Sequence, residues 1–501
     1  MKRPASGRLG VRFRRAAVGL SAFTGLAIAA SVGTAAGGVP VAAGPDAGAP
    51  GVWQSAGSMW GWDNRVSQGT TLTQAGQMIG ADGSWSRQYT GKGVGIAMID
   101  TGVARVPGLT SGNVVNGPDL SFESQDPATR YVDRFGHGTH LAGIMVGRDP
   151  LTGFRGIAPD AKLTSIKVAA RDGAVDVVQV LAAIDWVVEH RNDDPANPIR
   201  VLNLAYGTSG TQNYRTNPLA FAVEQAWKAG IVVVVAAGNN GTGAPNLVNP
   251  AFDPYVVAVG AVDDKGTTAT YDDTVSDYSS RGNPGRRVDV VAPGRSVVSL
   301  RVPGSFVDER YPSARVGTSQ FKGSGTSQAA AITSAAVARL LQARPLLRPD
   351  QVKAVSRASA WRLNDADAGA GAGRLMLSQA LAWPAPLTAT QAFPASTGLG
   401  TLESARGDSH VTLDGVVLAG EKDIFGNPFS TALWSRASAN RTAWSGGRWM
   451  GVAWTGDGWS LTHGTASWAG RAWSGRAWSG RAWSGRAWSG ASWNGEWKTG
   501  S

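Results

Sequence analysis

Six short runs rich in valine and isoleucine, at residues 94–99, 162–168, 201–204, 231–235, 256–259 and 288–291, leave few folds open to this chain. Helical patterns separate them. Residues 175–190 set Val177, Val178, Leu181, Ile184 and Val188 on one stripe, and 221–229 form a second, shorter helix. β-Branched runs alternating with helices predict a doubly wound α/β domain, a mostly parallel sheet covered on both faces. A short helix at 375–381, after the Gly-Ala run 368–373, is expected to close it. With 501 residues and 43% hydrophobic content there is ample material for one large core plus appendages. The chain has no cysteine, which excludes disulfides, thiol catalysis and Cys-based zinc sites, so packing alone must hold the fold.

Glycines crowd a serine at Phe321-Lys-Gly-Ser-Gly-Thr-Ser327, just before the Ala-rich helical run 328–342. This places Ser327 at a helix N-terminus, where unpaired backbone N–H groups and the positive end of the helix dipole favour negative charge beside its oxygen. Such a setting suits acyl transfer, although an N-cap serine on a core helix would read the same way. Two further stretches add to it. Val94-Gly-Ile-Ala-Met-Ile-Asp-Thr-Gly102 is a buried strand with Asp100 at its carboxyl end, and Phe135-Gly-His-Gly-Thr-His140 puts His137 at the start of a small-residue helix. A carboxylate, an imidazole and a hydroxyl thus occur in the order Asp, His, Ser.

Together these stretches resemble the three signatures of the subtilisin-like (subtilase) serine peptidases, over roughly residues 82–382. The resemblance implies that Ser327 is the nucleophile, that His137 takes and returns its proton, and that Asp100 orients His137. In Ile231-Val-Val-Val-Val-Ala-Ala-Gly-Asn239 it gives Asn239 a donor role in an oxyanion hole; read alone, Asn239 is equally a turn residue. It also makes Ala205, Tyr206 and Gly207 one wall, and Ala237 and Gly238 the other, of the pocket for the residue before the scissile bond (P1). Neither wall carries charge, so large apolar residues are expected there in preference to Lys, Arg, Asp or Glu. Departures are visible too. Gly-Thr-Ser is followed by Gln328-Ala-Ala-Ala-Ile332 where the family commonly has Met-Ala-Ser-Pro-His. Where a calcium-binding aspartate is often found, this chain has Val106-Pro-Gly-Leu109, so structural calcium and any other metal are left open; the chemistry itself requires no cofactor. His137 and His140 could share a metal, but with no third ligand nearby His140 reads as a packed helix histidine.

Residues 1–43 read as a secretory signal peptide: six Lys or Arg without an acid in the first 15, then an apolar small-residue stretch, with Arg14-Arg15 hinting at twin-arginine export. An arm at 44–81 follows, too short to hold a folded inhibitory propeptide as well. Residues 383–430, rich in Pro, Ala, Thr and Gly, read as linker. Residues 431–501 form a tail in which tryptophan recurs every five residues, clearest as Ser-Gly-Arg-Ala-Trp. A period of five suits neither a strand nor a straight helix, so repeated turns are expected. Of the formal net charge of +11, residues 1–50 supply +5 and 434–501 supply +6, leaving the body neutral. Twelve of the 20 tryptophans share that basic tail, a composition suited to an anionic cell-envelope polymer or membrane surface; nucleic acid is a less favoured partner for an exported protein. Two functions remain open: a secreted endopeptidase acting on proteins and peptides, or an inactive subtilase-like body that binds a surface through its tail.

Overall fold

The computed structural model describes residues 69–454, except 85, 244–245 and 414–415, together with 469–470. The expected signal peptide, most of the arm and the clean repeats of the tail lie outside the described residues.

In chain order the elements that matter are α1 (Leu72–Met78), β1 (Gly95–Asp100), β2 (Val114–Asp119), α2 (His137–Val146), β3 (Lys162–Lys167), α3 (Val177–His190) and β4 (Ile199–Leu204). They continue with α4 (Pro218–Lys228), β5 (Val232–Ala236), β6 (Val257–Asp263), β7 (Val290–Pro293), α5 (Thr326–Ala343), α6 (Pro349–Ala358) and α7 (Leu377–Ala382). The strands form one sheet in the order β7-β6-β5-β4-β1-β3-β2, every neighbour parallel, with Thr274–Val275 added antiparallel to β6. Order reverses beside β1, so the carboxyl ends of β1 and its neighbours open the crevice where such sheets carry their sites. All six expected strands are present, five of them within about two residues, while β6 runs on to Asp263, four residues past the expected end. β2 was not expected: its Asn116-Gly-Pro-Asp119 reads as a turn, yet it is an edge strand, the one place in a sheet where proline costs no ladder bond.

Helix ends follow local rules. Asp176 caps α3, its Oδ1 accepting from Val178 N at 3.0 Å, and Gln179 completes the capping box. Asn217 caps α4 and Pro218 opens it, which starts that helix earlier than the apolar stripe suggested. Helix α5 is buried along nearly its whole length, with alanine, serine and threonine making up most of its buried positions. Before the sheet, Thr70 N donates to Ser296 O and Thr70 Oγ1 to Asp264 Oδ2, so the end of the arm is already part of the body.

The stretch expected to be linker is packed. Within it, α8 (Leu402–Arg406) carries Arg406, which is wholly buried, with Nε donating to Asp176 Oδ2 at 2.6 Å and its other nitrogens to Gly420 O and Lys422 O. Composition concealed this, because polar segments can be anchored by one buried ion pair with every donor satisfied.

The tail also begins inside the body. After α9 (Thr431–Asn440) come three two-residue strands, β8 (Trp444–Ser445), β9 (Arg448–Trp449) and β10 (Val452–Ala453), paired antiparallel with Trp444 opposite Trp449. Gly446 and Gly447, both at positive φ, supply the two-residue turn between β8 and β9. Residues five apart are thus cross-strand partners on one face, an arrangement that reading the period on a single strand or helix overlooks. Trp434, Trp444, Trp449 and Trp454 join the same apolar cluster as the sheet. Three donors converge on Asp185 of α3: the Trp434 and Trp449 indole Nε1, each 2.8 Å from Oδ2, and Ser438 Oγ, 2.5 Å from Oδ1.

Burial pushes the Asp185 carboxyl up to about 6, against Ser438, Trp449 and Trp434, which favour its ionised form; Glu189 adds to the rise. Stability from such a group is complete below the unfolded value of 3.8 and is lost as pH rises through about 6. Asp185→Asn keeps an acceptor for both indoles and can turn its NH2 to the Ser438 hydroxyl. The variant should therefore gain on the wild type by up to about 3 kcal/mol in unfolding free energy between pH 4 and 8. Parallel stability–pH curves for the two proteins would contradict this.

Candidate active site

Asp100 ends β1 and His137 begins α2, and the structure brings them together with no solvent between. Both side chains are fully buried, and His137 Nδ1 lies 2.7 Å from Asp100 Oδ1, which also accepts from Thr101 N at 2.8 Å. Gly138 makes this approach feasible, since a Cβ there would stand 2.1 Å from the Gly102 carbonyl oxygen. Burial opposes the charged form of each partner taken alone, raising the Asp100 carboxyl and holding the His137 imidazole well below its ordinary value, while their 2.7 Å contact favours an ionised carboxylate facing Nδ1–H and leaves the neutral ring able to accept a proton.

Behind the pair stands Asp133, which the sequence reading passed over. Its Oδ1 accepts from Thr101 Oγ1 (2.8 Å), Phe135 N (3.1 Å) and Gly136 N (2.6 Å), and its Oδ2 from Thr139 N (2.8 Å) and Thr139 Oγ1 (2.6 Å). Thr101 Oγ1 in turn accepts from Gly138 N at 2.8 Å. One buried carboxylate therefore holds the turn after β1 against the first turn of α2. The signal available was Asp133 four residues before His137 in Asp-Arg-Phe-Gly-His, a turn-forming acid next to a helix start.

Ser327 is the second residue of α5 and is almost buried. The first turns of α2 and α5 converge at Gly323, where a Cβ would lie 2.7 Å from His140 Nε2 and 2.5 Å from Gln328 Nε2. His140 is itself buried; burial, together with the repulsion it would meet from a protonated His137, lowers it to about 3, which keeps it neutral. Asn239, just past β5, accepts at Oδ1 from Thr326 N (3.0 Å) and Thr326 Oγ1 (3.2 Å), while Gly238 N donates to Thr326 Oγ1 at 3.1 Å. With its oxygen committed to Thr326, the Asn239 amide has its NH2 as its donor end.

The expected pocket residues Ala205, Tyr206, Gly207, Ala237 and Gly238 are all buried. Tyr206 is wholly buried; burial and then the charge of Asp176 raise its hydroxyl, with Arg406 opposing. The room that Gly207 and Gly238 leave open is taken by Val248: a Cβ at Gly207 would lie 2.3 Å from its Cγ2, and one at Gly238 2.6 Å from its Cγ1. Among the described residues no group of three or more His, Asp or Glu is placed to hold a metal ion.

A buried carboxylate–imidazole pair and a helix-borne serine on the carboxyl edge of a doubly wound parallel sheet define a serine-hydrolase architecture of the α/β class. The profile of the Peptidase S8 subtilase family matches residues 91–386, and the chain belongs to that family. It is 37% identical over 293 residues to the serine protease AprX of Bacillus subtilis, covering 56% of this chain and 65% of that protein. Subtilisin DY of Bacillus licheniformis is 33% identical over 291 residues, covering 58% of this chain and 91% of that protein. Among solved structures, fervidolysin from Fervidobacterium pennivorans, a keratinolytic enzyme related to subtilisin, aligns with a TM-score of 0.50 at 26% identity, over 69% of this chain and 51% of that one. The chain thus spans just under two thirds of AprX and about half of fervidolysin.

Asp133→Asn places an NH2 among five donors. It should lower stability by about 2–3 kcal/mol and loosen the Asp100–His137 contact, slowing modification of Ser327 by a fluorophosphonate. An unchanged melting temperature would contradict the role given to Asp133.

Proposed function

We propose that the chain is a secreted serine endopeptidase acting on proteins and peptides through Asp100, His137 and Ser327. The observation that carries this is the buried 2.7 Å contact between Asp100 Oδ1 and His137 Nδ1, beside a helix whose second residue is Ser327. A hydroxyl is a poor nucleophile at neutral pH, so neutral His137 takes the Ser327 proton as Oγ attacks the scissile carbonyl. Asp100 holds the ring with Nδ1–H turned inward, leaving Nε2 as the base, and stabilises the imidazolium that forms. Asn239 NH2 and the Ser327 backbone N–H receive the oxyanion, aided by the dipole of α5. Collapse of the tetrahedral intermediate returns the proton from His137 to the leaving amine and leaves an acyl-enzyme, which water hydrolyses by the same steps. Every proton and charge has a protein group to take it, so the reaction as proposed calls on no cofactor.

The walls of the pocket carry no charge, which favours apolar P1 residues. The position of Val248 narrows the expectation from large apolar residues to small ones, because its methyl groups fill the depth that a Phe ring would need. The basic Trp/Arg tail remains a candidate for holding the enzyme at an anionic envelope polymer or membrane. The part that could do so starts after Trp454, since Trp434 to Trp454 are spent on the core. No helix among the described residues is long and apolar enough to cross a membrane.

Ser327→Ala should abolish peptide hydrolysis with the fold intact, and Asn239→Ala should lose about 10²–10³ in kcat, the magnitude known for the corresponding subtilisin variant. Wild-type cleavage of casein by Ser327→Ala would refute the mechanism. Val248→Gly should raise the kcat/KM ratio of Phe-P1 over Ala-P1 substrates by at least about tenfold. An unchanged ratio would show that Val248 does not set the depth of the pocket.

A further inference from the structure

Past the family match, which ends at residue 386, the chain returns to the substrate crevice. The carbonyl oxygen of Ala405, near the end of α8, accepts from Thr208 Oγ1 at 2.6 Å and from Asn249 Nδ2 at 3.2 Å. Thr208 follows Gly207, and Asn249 follows Val248; the two residues also exchange backbone hydrogen bonds, each 3.0 Å, and Asn249 Nδ2 reaches Thr208 Oγ1 at 3.3 Å. Both are buried. A single carbonyl from outside the family region therefore ties the end of the Ala205–Gly207 wall to the turn that carries Val248.

The carbonyl has little freedom to move. Arg406, next in sequence, is locked by Asp176 Oδ2, Gly420 O and Lys422 O, and Asp176 is the cap of α3. On the other flank, Gly210 approaches so closely that a Cβ would lie 2.6 Å from Ser404 O and 2.9 Å from Ala405 O. Asp408 N donates to Ser209 Oγ at 2.9 Å. From the serine outward, contacts run through Thr326 to Gly238, from Ala237 O to Val248 N at 3.1 Å, and through Asn249 and Thr208 to Ala405.

We propose that residues 402–408 are a brace for substrate binding: Arg406 and Thr208 are positioning residues that set, through the Ala405 carbonyl, how Val248 sits against the Gly207 wall of the pocket. This rests on the peptidase reading above and goes beyond it by giving the extension a role in specificity. A buried hydroxyl-to-carbonyl bond is worth enough that its loss loosens the wall without unfolding the sheet. The consequence falls on substrate binding, because Asp100 and His137 are held by each other and by the Asp133–Thr101 contacts, and Ser327 stands several contacts away from Ala405 along this path.

The test compares full-length wild type, Thr208→Val and Thr208→Ser on peptide substrates with Ala or Phe at P1, alongside the rate of labelling by a small fluorophosphonate that has no P1 side chain. Thr208→Val should raise KM for the Ala substrate roughly three- to tenfold and relax discrimination against Phe, with kcat and the labelling rate within about twofold of wild type. Thr208→Ser, which keeps the hydroxyl, should restore wild-type KM and selectivity. Unchanged KM and selectivity in Thr208→Val, or a labelling rate that falls in step with them, would overturn the brace. Should Thr208→Val fail to fold, Asp408→Ala, on the exposed flank of the same contact, is expected to shift KM in the same direction, and no shift would overturn the proposal. If the wild type neither labels nor hydrolyses either substrate, the peptidase reading itself fails, an outcome distinct from failure of the brace.

Discussion

The contact between the Asn239 side chain and Thr326 is the one on which the arrangement of this crevice depends. It joins the end of β5 to the start of α5 through two hydrogen bonds to one amide oxygen, with Gly238 N closing the loop on the Thr326 hydroxyl. A helix N-terminus has unpaired N–H groups that need acceptors, and a strand end has a side chain free to provide one. Satisfying the first with the second fixes where Ser327 begins and which end of the Asn239 amide can donate. The same economy recurs at Asp133, where a single carboxylate satisfies the end of one element and the beginning of another.

Around this crevice the packing is tighter than ordinary side chains would permit. Gly138 against the Gly102 carbonyl, and Gly323 against His140 and Gln328, are approaches at which any Cβ would collide. Small residues in the first turns of α2 and α5 thus serve proximity more than flexibility. They bring the first turns of these helices close to their neighbours and keep the Asp100–His137 pair dry, so that an imidazole stays neutral and a carboxylate interacts strongly with it.

The sheet was legible in the sequence because each central strand is a β-branched run buried on both faces, and the places of Asp100, His137, Asn239 and Ser327 at the ends of elements were legible because each sits in a short, chemically specific setting. What escaped notice was whatever depends on a partner far along the chain. β2 is hidden by Asn116-Gly-Pro, since only its place at the edge excuses the proline. Val248 belongs to an unremarkable loop until its methyl groups are seen between two glycines. Asp133 looks like a turn acid. The tryptophan spacing was visible but was weighed against straight elements, whereas in a tight hairpin positions five apart face each other. Arg406 and Asp185 gave no local sign of their buried roles, because an ion pair across 230 residues leaves no periodicity behind.

The most direct measurement of the central claim is to treat the full-length protein with a fluorophosphonate at neutral pH and locate the adduct by peptide mapping and mass spectrometry. A single adduct on Ser327, approaching one per chain, is the predicted result. An adduct on another serine, or an unmodified Ser327 in properly folded protein, would contradict it.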